Sequence, residues 1–177
     1  MNISFRPLTE ADLPQMHTWL NTPHVARFFK NQQTMQQIRD EYMGYITGED
    51  PSDAYIILID EVDVGYIQTY YYSDYADDTG YDELLEAEPY SAGVDLFIGN
   101  ANYIYKGYGV RIMQRFIANY VFSKPKTTDI VITPEPANIA AINAYTKVGF
   151  EWYKTITTPG DGAEEYLMRL ERKNFNV

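Results

Sequence analysis

The chain has 177 residues, 45% of them hydrophobic, with a formal net charge of -11 and no cysteine. That length and apolar content support a single domain (residues 1–177) with a sizeable core, and the acidity excludes nucleic acid, whose recognition demands a basic footprint. The absence of cysteine excludes a disulfide framework, a thiolate metal site and a cysteine nucleophile. Met1-Asn2-Ile3-Ser4-Phe5-Arg6-Pro7 lacks the charged start and apolar run of a signal peptide, and no stretch approaches the ~18 apolar residues of a membrane span. A soluble, cytoplasmic protein without a membrane partner is expected, as a monomer or a homodimer.

Ile3 to Leu8 reads as a strand. Thr9 with Asp12 has the pattern of a capping box and opens a helix to about Leu20. Thr22-Pro23 starts a short helix through Phe29, with proline at its first position. Thr34 caps a third helix, in which Met35, Ile38, Tyr42, Tyr45 and Ile46 recur at helical spacing. Tyr55–Ile59 and Val64–Tyr72 form a hairpin around Asp60-Glu61-Val62-Asp63. Tyr75 to Ser91 is an acidic loop with a helical turn at Asp82 to Ala87. Gly93–Ile98 is a strand, and Tyr108–Phe122 a helix buried through Val110, Met113, Phe116, Ile117 and Tyr120. Thr128–Thr133 is a strand, and Asn138–Val148 a helix stopped by Gly149. Phe150–Thr158 and Glu164–Arg172 close the chain as a second hairpin. The expected class is α/β of the α+β type: a mixed, mostly antiparallel sheet with one parallel strand pair and flanking helices.

Charge is divided at Asp95. From Glu49 to Asp95 there are fourteen Asp or Glu and no Lys, Arg or His, whereas Leu96 to Thr128 holds five Lys or Arg and no acid. Solvated faces normally intersperse the two signs, so this partition points to two ligands of opposite charge. The acidic part suits a polyamine or basic peptide, and the basic part a phosphate-bearing cofactor. Asp74, Asp77 and Asp78 lack the spacing and terminal glutamate of a calcium loop, and His17 and His24 form no cluster, so no metal is expected.

The strand ending near Ile98 leads into Tyr105-Lys106-Gly107-Tyr108-Gly109-Val110-Arg111, which opens a helix. Two glycines one residue apart let backbone N–H groups approach an anion, and the helix N-terminus adds partial positive charge. The run is too short for a Walker loop and lacks the third glycine of a dinucleotide fingerprint. It therefore suits a pyrophosphate, with Lys106 and Arg111 supplying full charges. Asn138-Ile139-Ala140-Ala141-Ile142-Asn143-Ala144-Tyr145-Thr146-Lys147-Val148-Gly149-Phe150 resembles the corresponding stretch of the GCN5-related N-acetyltransferases (GNAT), and Gly107-x-Gly109 resembles their pyrophosphate loop. The resemblance implies that fold, with its splayed parallel strands, and acetyl-CoA as cosubstrate. Ile104 stands where the family often has Gln or Arg.

Within that superfamily the chain resembles the bacterial aminoglycoside 6'-N-acetyltransferases. The similarity rests on Trp19-Leu20-Asn21, His24-Val25-x-x-Phe28-Phe29, Gly65-Tyr66-x-Gln68, Gly93-Val94-Asp95, the glycine loop, the Tyr145 helix and Thr157-Thr158-Pro159. It implies Asp95 as general base and Tyr145 beside the thioester sulfur. It implies cofactor contacts from Phe97 and Ile98, from Lys106, Gly107, Tyr108, Gly109, Val110 and Arg111, and from Asn138 and Lys147. Phe28 or Phe29 with Tyr42 would wall the sugar site, joined by Gln68, and Asp161 would hold ammonium groups. The acidic stretch would add Asp77, Asp78, Tyr81 and Glu86. Thr133 stands where the family commonly has an aspartate, so that one amine contact is lost or supplied elsewhere.

The chemistry needs these groups independently of any resemblance. An amine attacks a thioester only when neutral, and ammonium groups predominate at pH 7. A carboxylate on the central strand can remove that proton directly or through one water, a backbone N–H near Phe97 can meet the developing oxyanion, and Tyr145 can protonate the departing thiolate. Three functions compete: acetyl transfer to an aminoglycoside 6'-amine; acylation of another amine, such as a protein N-terminus, a polyamine or a siderophore precursor; and a non-catalytic module that binds coenzyme A. Asp95 as a structural carboxylate and Tyr145 as a core tyrosine are the competing readings of the two central residues.

Overall fold

The computed structural model describes residues 1–29, 33–75, 85–158 and 162–175. Strand β1 (Ile3–Pro7) is followed by helices α1 (Leu13–Leu20), α2 (Pro23–Ala26) and α3 (Met35–Thr47). Then come β2 (Asp53–Ile59), β3 (Val62–Tyr71), β4 (Ser91–Ile98), α4 (Tyr108–Phe116), β5 (Asp129–Ile132), α5 (Ile139–Val148), β6 (Glu151–Thr157) and β7 (Glu164–Glu171). The strands form a seven-stranded sheet in the order β1-β2-β3-β4-β5-β7-β6. β4 and β5 are parallel, while β1–β2, β2–β3, β5–β7 and β6–β7 are antiparallel. The expected mixed class and the expected parallel pair are both present. The chain divides into two compact units, Met1–Thr69 with Asp95–Tyr108, and Tyr70–Val94 with Gly109–Val177.

In the first unit the local signals act as the sequence indicates. Thr9 completes its capping box with Asp12, although the first turn is 3-10 and α1 proper begins at Leu13. Arg6 grips the Asp12 carboxylate through two bonds of 2.8 Å and reaches Asp63 at 2.6 Å. The second helix stops at Ala26, well short of Phe29. The Thr34 hydroxyl caps α3 by accepting from the Gln37 N–H, and Gly48 ends the helix at φ +78°. The β2–β3 turn is tighter than expected: Ile59 faces Val62, so only Asp60 and Glu61 lie between the strands. Both have positive φ, 50° and 68°, and a two-residue turn of that hand matches the twist of its strands. Leu8, Leu13, Met16, Leu20, Val25, Ile38, Ala54, Ile56, Tyr66 and Phe97 form the core between the three helices and one face of the strands.

In the second unit, β4 and β5 pair only over Ser91–Gly93 and Asp129–Val131. Their paired end is held by buried Asp129, which accepts from the hydroxyls of Ser91 at 2.7 Å and Thr128 at 2.8 Å. Arg169 Nε stands 3.4 Å from the same carboxylate, and its Nη2 donates to the carbonyls of Leu85 and Glu86. The helix expected over Tyr108–Phe122 changes character at Ile117, where a π segment, Ile117–Val121, follows α4. Within the π segment the wider turn moves the buried register one residue along, so Val121 is buried where Tyr120 was expected; earlier, in α4, Ile112 is buried and Val110 is half-buried. The Arg172 guanidinium closes this helix end by donating to the carbonyls of Phe122, Lys124 and Thr127, a cation placed where a helix is partially negative. Asn138 caps α5 by accepting from the Ala141 N–H, and Gly149 closes it at φ +114°.

One glycine tests how closely β3 approaches β4. A Cβ on Gly65 would lie 2.1 Å from the Phe97 carbonyl oxygen and 2.9 Å from the Ile98 Cα, both backbone atoms that cannot turn aside. Gly65→Ala should therefore cost about 2–3 kcal/mol, read as a lower denaturation midpoint in urea. An unchanged midpoint would mean that the strands separate there without loss.

Candidate active site

Asp95 lies on β4 two residues beyond Gly93, the last position at which β4 pairs with β5. Its Oδ2 accepts from Gln68 Nε2 at 2.9 Å. The Gln68 amide is held at its other end, where Oε1 accepts from the Tyr66 hydroxyl at 2.5 Å. Tyr66 is almost wholly buried (1% exposed). Alternation along β3 puts Tyr66 and Gln68 on one face, with the Tyr66 ring stacked on Phe97 at 5.6 Å and Gln68 on Asp95. Tyr42, from α3, meets the edges of Tyr66 at 5.3 Å and Tyr45 at 5.6 Å. Phe29 and Trp19 both approach Phe97 edge-on.

The adjacent phenylalanines of the second helical segment divide as their geometry requires. Phe29 packs on Phe97, and Phe28 lies under the Arg27 guanidinium at 5.1 Å. Phe97 is a core side chain (5% exposed), so its contribution to a ligand is restricted to its backbone. The Ile98 carbonyl is taken by His24 Nε2 at 2.9 Å, which fixes the end of β4 to α2. Tyr66, Tyr45 and His24 were not singled out from sequence as site residues. The signal for Tyr66 was available, because it stands two residues from Gln68 in a strand.

Beyond β4 the chain turns through Tyr105 (φ +57°) and Gly107 (φ +76°) into α4. Lys106, Gly107 and Arg111 are exposed, while Tyr108, Gly109 and Val110 are half-buried. A Cβ added to Gly107 or Gly109 would meet nothing within 4 Å. The glycines therefore leave open space before the first N–H groups of α4, which have no partner within their own helix. That opening, two adjacent cations and the helix end fit a pyrophosphate. In the second unit Tyr145 is half-buried, its ring 5.8 Å from Phe150, and Lys147 is exposed. The Asn138 oxygen is engaged as the cap of α5.

Glu86 is committed within its own unit. Lys154 Nζ and the Tyr153 hydroxyl donate to its carboxylate at 2.6 and 2.7 Å, and these bonds hold its pKa below the ordinary glutamate value. Asp77, Asp78, Tyr81 and Asp161 lie outside the described residues, as do residues 82–84 of the helical turn expected at 82–87. Among the described residues no group of three or more His, Cys, Asp or Glu is placed to hold a metal ion, and no helix is long and apolar enough to cross a membrane.

The acetyltransferase (GNAT) domain model matches residues 9–158. The chain belongs to the GNAT acetyltransferase family. It is 29% identical over 174 residues to the aminoglycoside N(6')-acetyltransferase type 1 of Klebsiella pneumoniae, covering 97% of this chain and 84% of that protein. A kanamycin resistance protein of Rhizobium radiobacter is 37% identical over 87 residues, 49% of this chain and 79% of that one. Among solved structures, the aminoglycoside acetyltransferase AAC(6')-Ib in complex with coenzyme A superposes with a TM-score of 0.87 at 28% identity, over 98% of this chain and 96% of that one. The same enzyme with coenzyme A and kanamycin gives 0.86 at 28% identity over the same shares. This GNAT chain is an acyltransferase.

The tyrosines beside Asp95 stay neutral over the whole working range of such an enzyme. Burial, the negative Glu41, and the neighbouring tyrosine and Asp95 push the Tyr42 phenol far above its ordinary value. Burial, with Glu41, Asp50 and Asp95, raises Tyr45 to about 12, and burial places Tyr66 well above its usual value. A raised folded-state pKa contributes stability that is complete below the unfolded value of ~10 and is lost as pH climbs through the folded value. Urea titrations from pH 8 to 12 should accordingly show stability level to about pH 10 and falling beyond it. Tyr42→Phe should reduce that alkaline slope; an equal slope in the variant would mean that Tyr42 ionises normally in the folded protein.

Proposed function

We propose that this chain transfers the acetyl group of acetyl-CoA to the 6'-amine of an aminoglycoside, with Asp95 as general base. The observation that carries the reading is the Asp95 carboxylate on β4, anchored by Gln68 and bordered by neutral tyrosines. The relatives at 28–29% identity over nearly the whole chain are named for this reaction, and one was solved with coenzyme A and kanamycin. Acetyl-CoA supplies an activated thioester. The chain supplies the rest: Asp95 takes the proton from the attacking ammonium group, a backbone N–H near Phe97 meets the charge that develops on the carbonyl oxygen, and Tyr145 gives a proton to the leaving sulfur. Lys106, Arg111 and the N–H groups at the start of α4 bind the pyrophosphate.

Tyr45 suits a polycationic sugar. Half-buried, it can offer its aromatic face to a cation and its neutral phenol to a hydroxyl group, while Tyr42 and Tyr66 are buried behind it and correct the expectation that Tyr42 walls the sugar site. Phe28, Asp77, Asp78, Tyr81 and Asp161 are proposed as further acceptor contacts. Glu86 is proposed to act through the Tyr153 and Lys154 pair that holds it, which orders the end of the acidic segment. Thr133, half-buried where relatives commonly carry an acid, should narrow the range of acceptors.

Three measurements test this. Thiol release from acetyl-CoA, followed across aminoglycosides with and without a 6'-amine, should be confined to those that have one. Asp95→Asn should lower kcat by about 10²–10⁴-fold and leave the coenzyme A affinity within a factor of two; undiminished kcat at neutral pH would remove Asp95 from the mechanism. Gly109→Ala should leave the melting temperature level or slightly raised, because alanine favours a helix and meets no neighbour. Its coenzyme A affinity should fall at least about tenfold, since the methyl group fills the space a phosphate needs. Wild-type affinity by calorimetry would place the pyrophosphate elsewhere.

A further inference from the structure

An amide side chain can present either end to a carboxylate, and only the N–H₂ end is attractive. In this protein the choice is made from behind. Tyr66 OH is 2.5 Å from Gln68 Oε1 and Gln68 Nε2 is 2.9 Å from Asp95 Oδ2. A neutral phenol has one proton to give, and giving it to Oε1 commits Nε2 to Asp95. We infer that Tyr66 is a positioning residue for the reaction: its hydroxyl locks the Gln68 amide, and the locked amide sets the orientation of the Asp95 carboxylate. This rests on the reading of Asp95 as general base.

The surroundings make the lock rigid. Tyr66 is 1% exposed, stacked on Phe97 at 5.6 Å and 26° and closed from the side by Tyr42 at 5.3 Å and 87°. Its ring cannot swing away without opening the core. It adds nothing to a substrate contact, because its one polar atom is spent on Gln68. Tyr42 and Tyr45 from α3 and Tyr66 from β3 feel the Asp95 charge, with Glu41 and Asp50 acting on the same tyrosines. All are neutral or negative, and Gln68 Nε2 donates to Asp95 and so favours its ionised form. Donation to a carboxylate lowers its proton affinity. Loosening the lock should raise it, so that less of the base is ionised at a given pH, and should let the carboxylate plane turn away from the attacking amine.

The test uses Tyr66→Phe, which keeps the ring and its stacking and removes only the hydroxyl. The expected result is a fall in kcat of about 3–10-fold, the scale of one hydrogen bond, with KM for the aminoglycoside and for acetyl-CoA unchanged within twofold. The Asp95 carboxyl carbon is followed by NMR in protein labelled at the aspartate carboxyl position, with its signal assigned by its loss in Asp95→Asn. Its titration midpoint should rise by about 0.5–1 pH unit in Tyr66→Phe. Because Tyr66 acts through Gln68, the double variant Tyr66→Phe/Gln68→Leu should be no slower than Gln68→Leu. It also avoids leaving a buried phenol unpaired, so it reports even if Gln68→Leu folds poorly. An unmoved midpoint, a change in KM with kcat retained, or additive losses in the double variant would overturn the lock. Full kcat in Asp95→Asn would instead overturn the base reading and its catalytic consequence, while the carboxyl titration would still decide whether Tyr66 orders Asp95.

Discussion

Strand β4 belongs to the sheet on two terms at once. At its start it is tied to β5 by three facing positions and by the buried Asp129, which gathers the Ser91 and Thr128 hydroxyls and stands beside Arg169. After Gly93 that pairing ends, while the strand continues to Ile98. A strand released on one edge keeps backbone donors and acceptors that an extended ligand can use. Asp95 and Phe97 both sit in this released part. The opposite edge is held as tightly as a strand can be: Gly65 leaves no room even for a methyl group between β3 and the Phe97 carbonyl. His24 pins the Ile98 carbonyl at the far end.

The chemistry follows from what surrounds that released segment. Asp95 has an amide donor at one oxygen and neutral aromatic groups around it. Those phenols stay protonated far above neutral pH because they are buried near negative charges. A carboxylate bordered by neutral aromatic groups is an environment that attracts cations. Five cations follow in the next segment, and two of them, Lys106 and Arg111, flank the glycine turn proposed to bind a pyrophosphate. In the proposed reaction this opposition of charge along the sequence would separate the two ligands.

Much of this was legible in the residues themselves. The capping box at Thr9, the cap at Thr34, the glycine stop at Gly149 and the glycine pair before α4 are local devices, and local devices survive folding unchanged. The charge seam at Asp95 is a property of order along the chain and needs no structure to be seen. The π segment was not legible, because the periodicity of apolar residues does not mark one extra residue in a helical turn, and the Arg172 guanidinium that closes this helix end comes from the other end of the chain. Glu86 looked like part of an acidic wall, but Lys154 and Tyr153 reach it across 68 and 67 residues of sequence. Tyr66 was hidden for a different reason. Its spacing from Gln68 was visible, but it is a buried aromatic in a buried strand, and the 2.5 Å contact to Gln68 is what separates it from an ordinary core residue.

The most direct test of the proposed reaction is the position of the new bond. Acetyl-CoA labelled with ¹³C in the acetyl group is incubated with the protein and kanamycin, and the product is analysed by two-dimensional NMR. The label should appear as an amide on the nitrogen attached to the 6'-carbon, with the other amines unmodified. Label on a different nitrogen, or none beyond the rate in water, would contradict the assignment of this chain as a 6'-N-acetyltransferase.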